Sequence, residues 1–311
     1  MSSQFQVPSR AELDALFQEL SNWDRWGPED QRGTLNHLSP EGMRHAAATV
    51  TRGLSVSLAH DLRSDPSPEN PFPVQHHMLA AGDARSANGI AGYEAARDYV
   101  GLDVHGLTTT HVDALSHMFV DGYMYGRRSA SEVRSDGATS NTVMTMADGV
   151  VGRGVLIDVP RALGIAYLGS GEVVTRADLE TTLERQGVDP QPGDVVLVRW
   201  GRVPRRRESR AFDGFSGLHP DCLTWLHDHR VAVLGSDGIS DPMPGLGIEQ
   251  WPFPVHQIGI TAIGLCLIDN MALDTLADAC ADLGRWEFLF TMAPLRLPRA
   301  TGCPVNPLAV L

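Results

Sequence analysis

The sequence predicts an α/β protein, with one mixed α/β domain that follows a helical N-terminal extension. Apolar runs typical of buried strands alternate with amphipathic helical patterns through the second half of the chain, whereas the first half is more irregular. The 31 glycines and 20 prolines among 311 residues indicate many turns, which a helical bundle does not need. We place the extension at residues 1–50 and the domain at residues 51–311.

The extension is predicted to contain two helices. Ser9 with Glu12 forms a capping-box pattern that opens a helix through about Leu20. Pro40 directly after Ser39 starts a second helix. The segment between them is rich in glycine, proline and other turn formers, and a tryptophan in such an irregular segment can wall a pocket. We therefore take Trp26 as a candidate substrate-binding residue.

The remaining elements follow from hydrophobic periodicity and turn residues. Strands are predicted at residues 54–62, 154–159, 195–199 and 231–235, and helices at residues 175–186 and 220–229. Asp237 follows the carboxyl end of the predicted strand at 231–235. Ligand-binding sites are common at this end of the strands in open α/β sheets, so Asp237 is a second candidate for substrate binding. Of the adjacent pair His76 and His77, only one can face a site from a strand, and we take His77 as the candidate.

Composition narrows the class of partner. A net charge of −13 disfavours nucleic acid and anionic membrane surfaces, both of which bind basic proteins. The first residues lack the basic-then-apolar layout of a signal peptide and no run of about 18 apolar residues occurs, so a cytoplasmic protein is expected. The four cysteines show no C-x-x-C spacing, which predicts buried free thiols rather than disulfides or a thiolate zinc site.

The strongest chemical signal lies in residues 101–119. His111 and Asp113 are two residues apart, so on a strand both project from one face and could share a divalent cation. His117 lies four residues beyond Asp113, and a strand that turns into a helix would keep it on the same side as a proton carrier. The same three residues could instead form a structural hydrogen-bond network in the core, and their spacing does not separate the two interpretations.

Residues 110–117 also carry a family resemblance. They match the last eight positions of the signature H-x-G-T-H-x-D-x-x-x-H, which is typical of the cyclase family of metal-dependent hydrolases. Residues 26–36, 192–194 and 302–307 are similar to the same family. The resemblance implies a swivelling β/β/α fold with a mixed sheet, of the cyclase and kynurenine formamidase type, over residues 51–311. It also implies a homodimer.

The resemblance further implies a metal site with three departures from the family pattern. Thr109 stands at the glycine of the signature, Asp269 stands where the family has a glutamate, and the third departure concerns a ligand. Leu107 stands where the family has its first histidine ligand, and a leucine cannot bind a metal. His105 is expected to substitute, provided that the chain turns, as Gly106 would allow. The implied ligands are nitrogen and oxygen groups suited to zinc or manganese: His111, Asp113, His256, Asp269 and His105.

The function implied is hydrolysis of a small cyclic or N-acyl amide, or of a lactone. A bound ion would lower the pKa of its water to about 7 and polarise the substrate carbonyl, and His117 would act as general base and acid. A second hypothesis removes the metal, so that His111, Asp113 and His117 serve as an acid/base set for cyclisation, dehydration or isomerisation of a small metabolite. A third is a binding protein that keeps the fold without turnover.

Overall fold

The computed structural model describes residues 5–83, 92–209 and 212–311, so the first four residues of the predicted extension lie outside the described part. The helices are α1 (Arg10–Glu19), α2 (Pro40–Ala48), α3 (Val159–Leu163), α4 (Arg176–Gln186), α5 (Arg202–Glu208), α6 (Asp221–Asp228), α7 (Pro254–Ile258) and α8 (Asp274–Leu283). The strands are β1 (Ser55–Ser57), β2 (Gln75–Ala80), β3 (Arg97–Gly101), β4 (His111–Asp113), β5 (Tyr123–Met124), β6 (Arg128–Ser129), β7 (Val133–Arg134), β8 (Gly137–Ala138), β9 (Val150–Asp158), β10 (Val173–Val174), β11 (Val195–Arg199), β12 (Gly217–Leu218), β13 (Val233–Ser236), β14 (Cys266–Asp269), β15 (Glu287–Met292), β16 (Gly302–Pro304) and β17 (Leu308–Val310).

Nine of the described strands form one mixed sheet, which confirms the predicted α/β class. Their order is β1-β17-β15-β9-β11-β13-β14-β4-β16. The four central strands β9, β11, β13 and β14 run parallel, and their immediate neighbours β15 and β4 are antiparallel to them. The carboxyl ends of the parallel strands therefore lie along one edge of the sheet, where sites collect in folds of this kind.

The centre of the sheet is buried on both faces. All five residues of β11 are buried, as are the four of β13 and the four of β14. Continuous Val, Leu and Ile runs are typical of parallel strands covered by helices on both sides. Helix α4 is capped as the sequence predicted, since Thr175 and Asp178 form a capping box and Gly187 ends the helix at a φ of 67°.

The two helices of the predicted extension are present as α1 and α2. Ser9 and Glu12 form the expected capping box, and Ser39 caps α2. Leu13 and Phe17 of α1 lie in the same hydrophobic core as the sheet strands, and α2 packs on β9. Because these contacts join the extension to the sheet, the described residues before position 51 cover the domain rather than project from it.

Two local predictions need correction. The strand expected over residues 54–62 is only three residues long, because β1 pairs as an edge strand with β17 alone. The helix expected between Asp113 and His117 is a turn. The apolar segment that leads to Asp269, to which no element was assigned from the sequence, begins as helix, with a π-helical turn over Gly259–Ile263, before it enters β14.

The four cysteines are buried and free, as the sequence predicted. In the described ranges, no helix combines the length and the apolar character that crossing a membrane would require.

Candidate metal centre

The centre lies where β14 and β4 meet at the edge of the sheet. The two strands are antiparallel and His111, the first residue of β4, stands opposite Asp269, the last residue of β14. His111 and Asp113 lie two residues apart on β4 and project from the same face, as their spacing predicted. All three side chains are buried. The strand ends thus place one imidazole and two carboxylates together.

His105 reaches this group from the loop before β4. The chain turns at residues 104–105 and bends again over residues 107–109, so that His105 folds back onto the strand. Its Nδ1 lies 2.9 Å from Asp113 Oδ1, and its Nε2 lies 3.2 Å from the hydroxyl of Thr301. The loop therefore makes the turn that His105 needs in order to replace the ligand that is missing at Leu107.

Two side chains that the sequence analysis missed hold this loop. The side-chain amide of Asn270 donates to the carbonyls of Gly106, at 3.0 Å, and Thr109, at 3.2 Å. The buried guanidinium of Arg202 donates to the carbonyl of Leu107 and to Asn270 Oδ1, both at 2.6 Å. Burial lowers the pKa of Arg202 to about 10. The only sequence signal was the position of Asn270 directly after Asp269.

His256 approaches from the first turn of α7. Its Nε2 lies 3.2 Å from Asp269 Oδ2 and 3.7 Å from Asp113 Oδ2. Its other ring nitrogen, Nδ1, lies 2.7 Å from Asp241 Oδ2. Burial disfavours the charged imidazole, but Asp269 and Asp241 outweigh burial and hold the pKa of His256 well above its usual range. Asp241 is a further residue that the sequence analysis missed.

These residues form two groups that could each hold a metal ion and that share Asp113. His105, His111 and Asp113 form one, and Asp113, His256 and Asp269 form the other, with the ligand atoms of each group within 4.8 Å of one another. Burial alone would raise the pKa of Asp113, but His117 and the hydrogen bond with His105 outweigh it and hold that pKa well below its usual range. Asp113 is therefore an anion, as a metal ligand must be.

Two carboxylate oxygens of the cluster have no hydrogen-bond donor and could bind a cation. Asp113 Oδ2 and Asp269 Oδ1 are buried and accept no hydrogen bond. An unsatisfied buried carboxylate oxygen is costly, and most buried polar atoms in proteins have a partner. Two such atoms in neighbouring residues of one cluster fit a divalent cation, and the imidazole and carboxylate donors fit zinc or manganese.

His117 stands beside the centre without being one of the clustered donors. It lies in the turn after β4, where its backbone N–H donates to the carbonyl of Ala114 at 2.9 Å. Its ring stacks on that of His105, with centroids 3.8 Å apart and an interplanar angle of 9°. Burial lowers the pKa of His117 to about 4, and the nearby histidines add to this effect while Asp113 opposes it. At neutral pH the ring is uncharged and can accept a proton.

The clustered donors and His117 open onto a cavity of about 260 Å³. The rest of the lining is Gly106 and five apolar side chains, those of Leu107, Met118, Ile239, Met243 and Phe253. A larger cleft of about 700 Å³ lies beside α2 and β9. Its buried Arg153 is paired with Asp194 and Glu287, and neither His–Asp group borders it. The clustered metal donors thus border the smaller cavity.

The three predicted substrate-binding residues do not line this cavity. Trp26 packs edge-on against His37, with ring centroids 5.2 Å apart. His77 is exposed on the β2–β3 hairpin and stacks on Tyr99. Asp237 is fully buried.

Asp237 has a structural role in holding the start of α5. Its carboxylate accepts backbone N–H groups of Trp200, Gly201 and Arg202 at 2.6–2.9 Å. Burial raises the pKa of Asp237 to about 6, although these hydrogen bonds act in the opposite direction. Asp237 therefore fixes the start of α5, from which Arg202 reaches the loop of His105.

Comparisons with known proteins agree with this picture. A family model described as putative cyclase matches residues 53–241. The crystal structure of a novel cyclase is 31% identical and superposes with a TM-score of 0.84, covering 94% of this chain and 100% of that one. No curated protein sequence matches.

Two more distant solved structures share the fold. An isatin hydrolase bound to the product analogue thioisatinate is 20% identical, with a TM-score of 0.58 over 88% of this chain and 99% of that one. A protein described as a predicted metal-dependent hydrolase from Bacillus stearothermophilus is 21% identical, with a TM-score of 0.50 over 82% of this chain and 97% of that one. At 20% and 21% identity, these two matches show that the fold is shared.

Proposed function

This chain belongs to the cyclase family, and on that premise we propose that it is a metal-dependent hydrolase that cleaves a small cyclic or N-acyl amide, or a lactone. The two distant structural neighbours described as an isatin hydrolase and a metal-dependent hydrolase support a hydrolytic reaction. The observation that carries the proposal is the pair of buried, unsatisfied oxygens, Asp113 Oδ2 and Asp269 Oδ1, within a cluster of three imidazoles.

The residues that would hold the ion are His105, His111, Asp113, His256 and Asp269. When bound there, a zinc or manganese ion supplies a Lewis acid that polarises a carbonyl and makes water more acidic. The backbone sets the tautomer of His111, because the carbonyl of Thr109 lies 2.8 Å from His111 Nδ1 and accepts its N–H. His111 Nε2 then carries the lone pair, which faces Asp113 Oδ1 at 3.5 Å.

His117 is the proton carrier in this proposal. Its uncharged ring borders the cavity and accepts a proton from the attacking water, then returns it to the leaving nitrogen or oxygen. Its lowered pKa of about 4 keeps the ring in the accepting form at neutral pH. The stack on His105 fixes the orientation of the ring, because the two planes are nearly parallel.

The shape and polarity of the cavity support a small, uncharged substrate. Five apolar side chains line the cavity together with the metal donors, and the charged or titratable groups that border it are the donors themselves and His117. A mostly apolar lining with one cluster of polar donors suits a flat ring or acyl group whose carbonyl points toward the donors. A volume of about 260 Å³ is below that of a drug-sized ligand pocket.

The test is hydrolysis of uncharged formanilides, cyclic imides and aryl lactones by the metal-loaded protein, the chelated protein and the reloaded protein. We expect turnover that chelation removes and either zinc or manganese restores. His117→Ala should retain the metal and lose at least about 100-fold in kcat, which is the lower end of a general acid/base contribution. Full activity in the chelated protein would favour metal-free acid/base chemistry by His111, Asp113 and His117 instead.

A second copy of the chain is the macromolecular partner we propose. The β2–β3 hairpin is separate from the main sheet and carries exposed apolar side chains, among them Met78, Leu79, Tyr99 and Val100. An isolated two-stranded hairpin is marginally stable in water, so cover by a partner would stabilise it. Light scattering on the eluting protein should give twice the chain mass, and a monomer across the micromolar range would contradict a stable dimer.

A further inference from the structure

Asp241 is a fully buried carboxylate that touches His256 from the side away from the metal donors. Its Oδ1 accepts the backbone N–H of Val255 at 2.8 Å, and its Oδ2 accepts that of His256 at 3.0 Å. The same Oδ2 lies 2.7 Å from His256 Nδ1. We propose that Asp241 is a positioning residue that fixes the tautomer and the ring orientation of His256 for metal binding.

The contact with Asp241 fixes which nitrogen of the His256 ring carries the hydrogen. A carboxylate can only accept hydrogen bonds, so the contact at 2.7 Å requires a hydrogen on His256 Nδ1. A metal-binding imidazole is uncharged and has one N–H, so with the hydrogen on Nδ1 the lone pair of His256 is on Nε2. Nε2 is the atom that faces Asp269 Oδ2 and Asp113 Oδ2. Asp241 therefore selects the tautomer whose lone pair points into the donor cluster.

Asp241 also fixes where the ring stands. It binds the backbone N–H and the side chain of the same residue, so the start of α7 and the imidazole are held by one anchor. The outer partners of His111 and His105 are uncharged, namely the carbonyl of Thr109 and the hydroxyl of Thr301. A carboxylate in this position also increases the basicity of the ligand, and outer partners of this kind typically contribute 10- to 100-fold to metal affinity.

The inference rests on the metal centre proposed above, and the first experiment compares zinc dissociation constants of two variants. Asp241→Asn can present its amide NH₂ to Nδ1 and so favour the wrong tautomer; we expect zinc to bind about 10- to 100-fold more weakly. Asp158→Asn is the matched control, because Asp158 is equally buried, caps the short helix α3 and pairs with Arg199. The control should lose stability while keeping wild-type zinc affinity.

A second measurement needs no change at Asp241. In protein labelled with ¹⁵N-histidine, the His256 signals are identified by their absence in His256→Gln, and their shifts report which nitrogen carries the hydrogen. We expect Nδ1 to be protonated in both the metal-free and the zinc-loaded wild-type protein, and Asp241→Asn to shift the hydrogen to Nε2.

The outcomes separate this inference from the proposed function. An unprotonated Nδ1 in the wild-type protein, or wild-type zinc affinity in Asp241→Asn, would overturn the role of Asp241 while the metal centre stands. A wild-type protein that binds no zinc or manganese would contradict the proposed function, and the tautomer of its His256 would still test the contact with Asp241.

Discussion

Replacing Arg202 by methionine should weaken metal binding through the loop that carries His105. The guanidinium donates two short hydrogen bonds, to the carbonyl of Leu107 and to Asn270 Oδ1, and it is buried. Methionine keeps most of the apolar stem and removes both donors. The loop between His105 and Thr109 then loses its bond at Leu107. It keeps the bonds from Asn270, whose own side chain has lost its anchor, and the bond from Thr108 to Asn70.

The expected magnitude follows from these contacts. A hydrogen bond from a charged group contributes about 1.5–3 kcal/mol, so the two bonds from Arg202 together contribute about 3–6 kcal/mol. Glu69, which also pairs with Arg202, keeps Arg63 and Arg206, so no buried charge is left without a partner. We expect Arg202→Met to lower the free energy of unfolding by about 3–6 kcal/mol and zinc affinity by about tenfold.

Arg199→Met is the matched control for this experiment. Arg199 is as buried as Arg202 and pairs with Asp158 and Asp274, but its side-chain hydrogen bonds do not reach the loop before β4. Urea unfolding gives the stability of each variant, and competition with a chelator gives the zinc dissociation constant. The reasoning would be refuted if both variants lost similar stability and both bound zinc as tightly as the wild-type protein.

Three further results are expected. At saturating metal, kcat/KM should fall on acidification only as the pH approaches about 4. The pKa of His117 in the folded protein is lowered from 6.5 to about 4, so the ring remains able to accept a proton above that value. A fall in kcat/KM centred near pH 6.5 would contradict this. His105→Gln should reduce zinc affinity by about tenfold or more with little change in unfolding midpoint, and unchanged affinity would exclude His105 as a ligand. Leu197→Ala, in the fully buried β11, should lower the free energy of unfolding by about 2–5 kcal/mol in urea titrations and leave zinc affinity unchanged.

Much of the fold could be predicted because it depends on local patterns. The capping boxes at Ser9 and Thr175 and the continuous apolar run of β11 are visible in a few adjacent residues. The placement of His111 and Asp113 on one face follows from the two-residue period of a strand. These features needed no knowledge of distant contacts.

The turn before His117 could not be predicted because distant residues form it. Ala114, Leu115 and Ser116 are compatible with a helix, but the N–H of Ala114 donates to Thr301 and that of Ser116 donates to Asn141. Both contacts tie the backbone of these residues to other segments and hold it in a turn. Local propensity is overridden here by hydrogen bonds to segments far along the chain.

The outer residues of the centre could not be predicted for the same reason. The contact between Arg202 and Leu107 spans 95 residues of sequence, and Asp241 meets His256 only because the loop after β13 packs against the start of α7. In contrast, Asp237 was chosen for its place at the end of a strand. That place is occupied by a helix-capping carboxylate, so position along the sheet did not distinguish a structural acid from a site acid.

The most direct test of the account is the metal content of the purified protein, measured by mass spectrometry for wild type, Asp113→Ala and Asp194→Ala without chelator. Asp113 is shared by both donor groups, whereas Asp194 is equally buried but pairs with Arg153 away from the centre. We expect at least about one zinc or manganese ion per chain in wild type and Asp194→Ala, and none in Asp113→Ala. A metal-loaded Asp113→Ala protein, or a wild-type protein that stays metal-free after supplementation, would contradict the proposed metal centre.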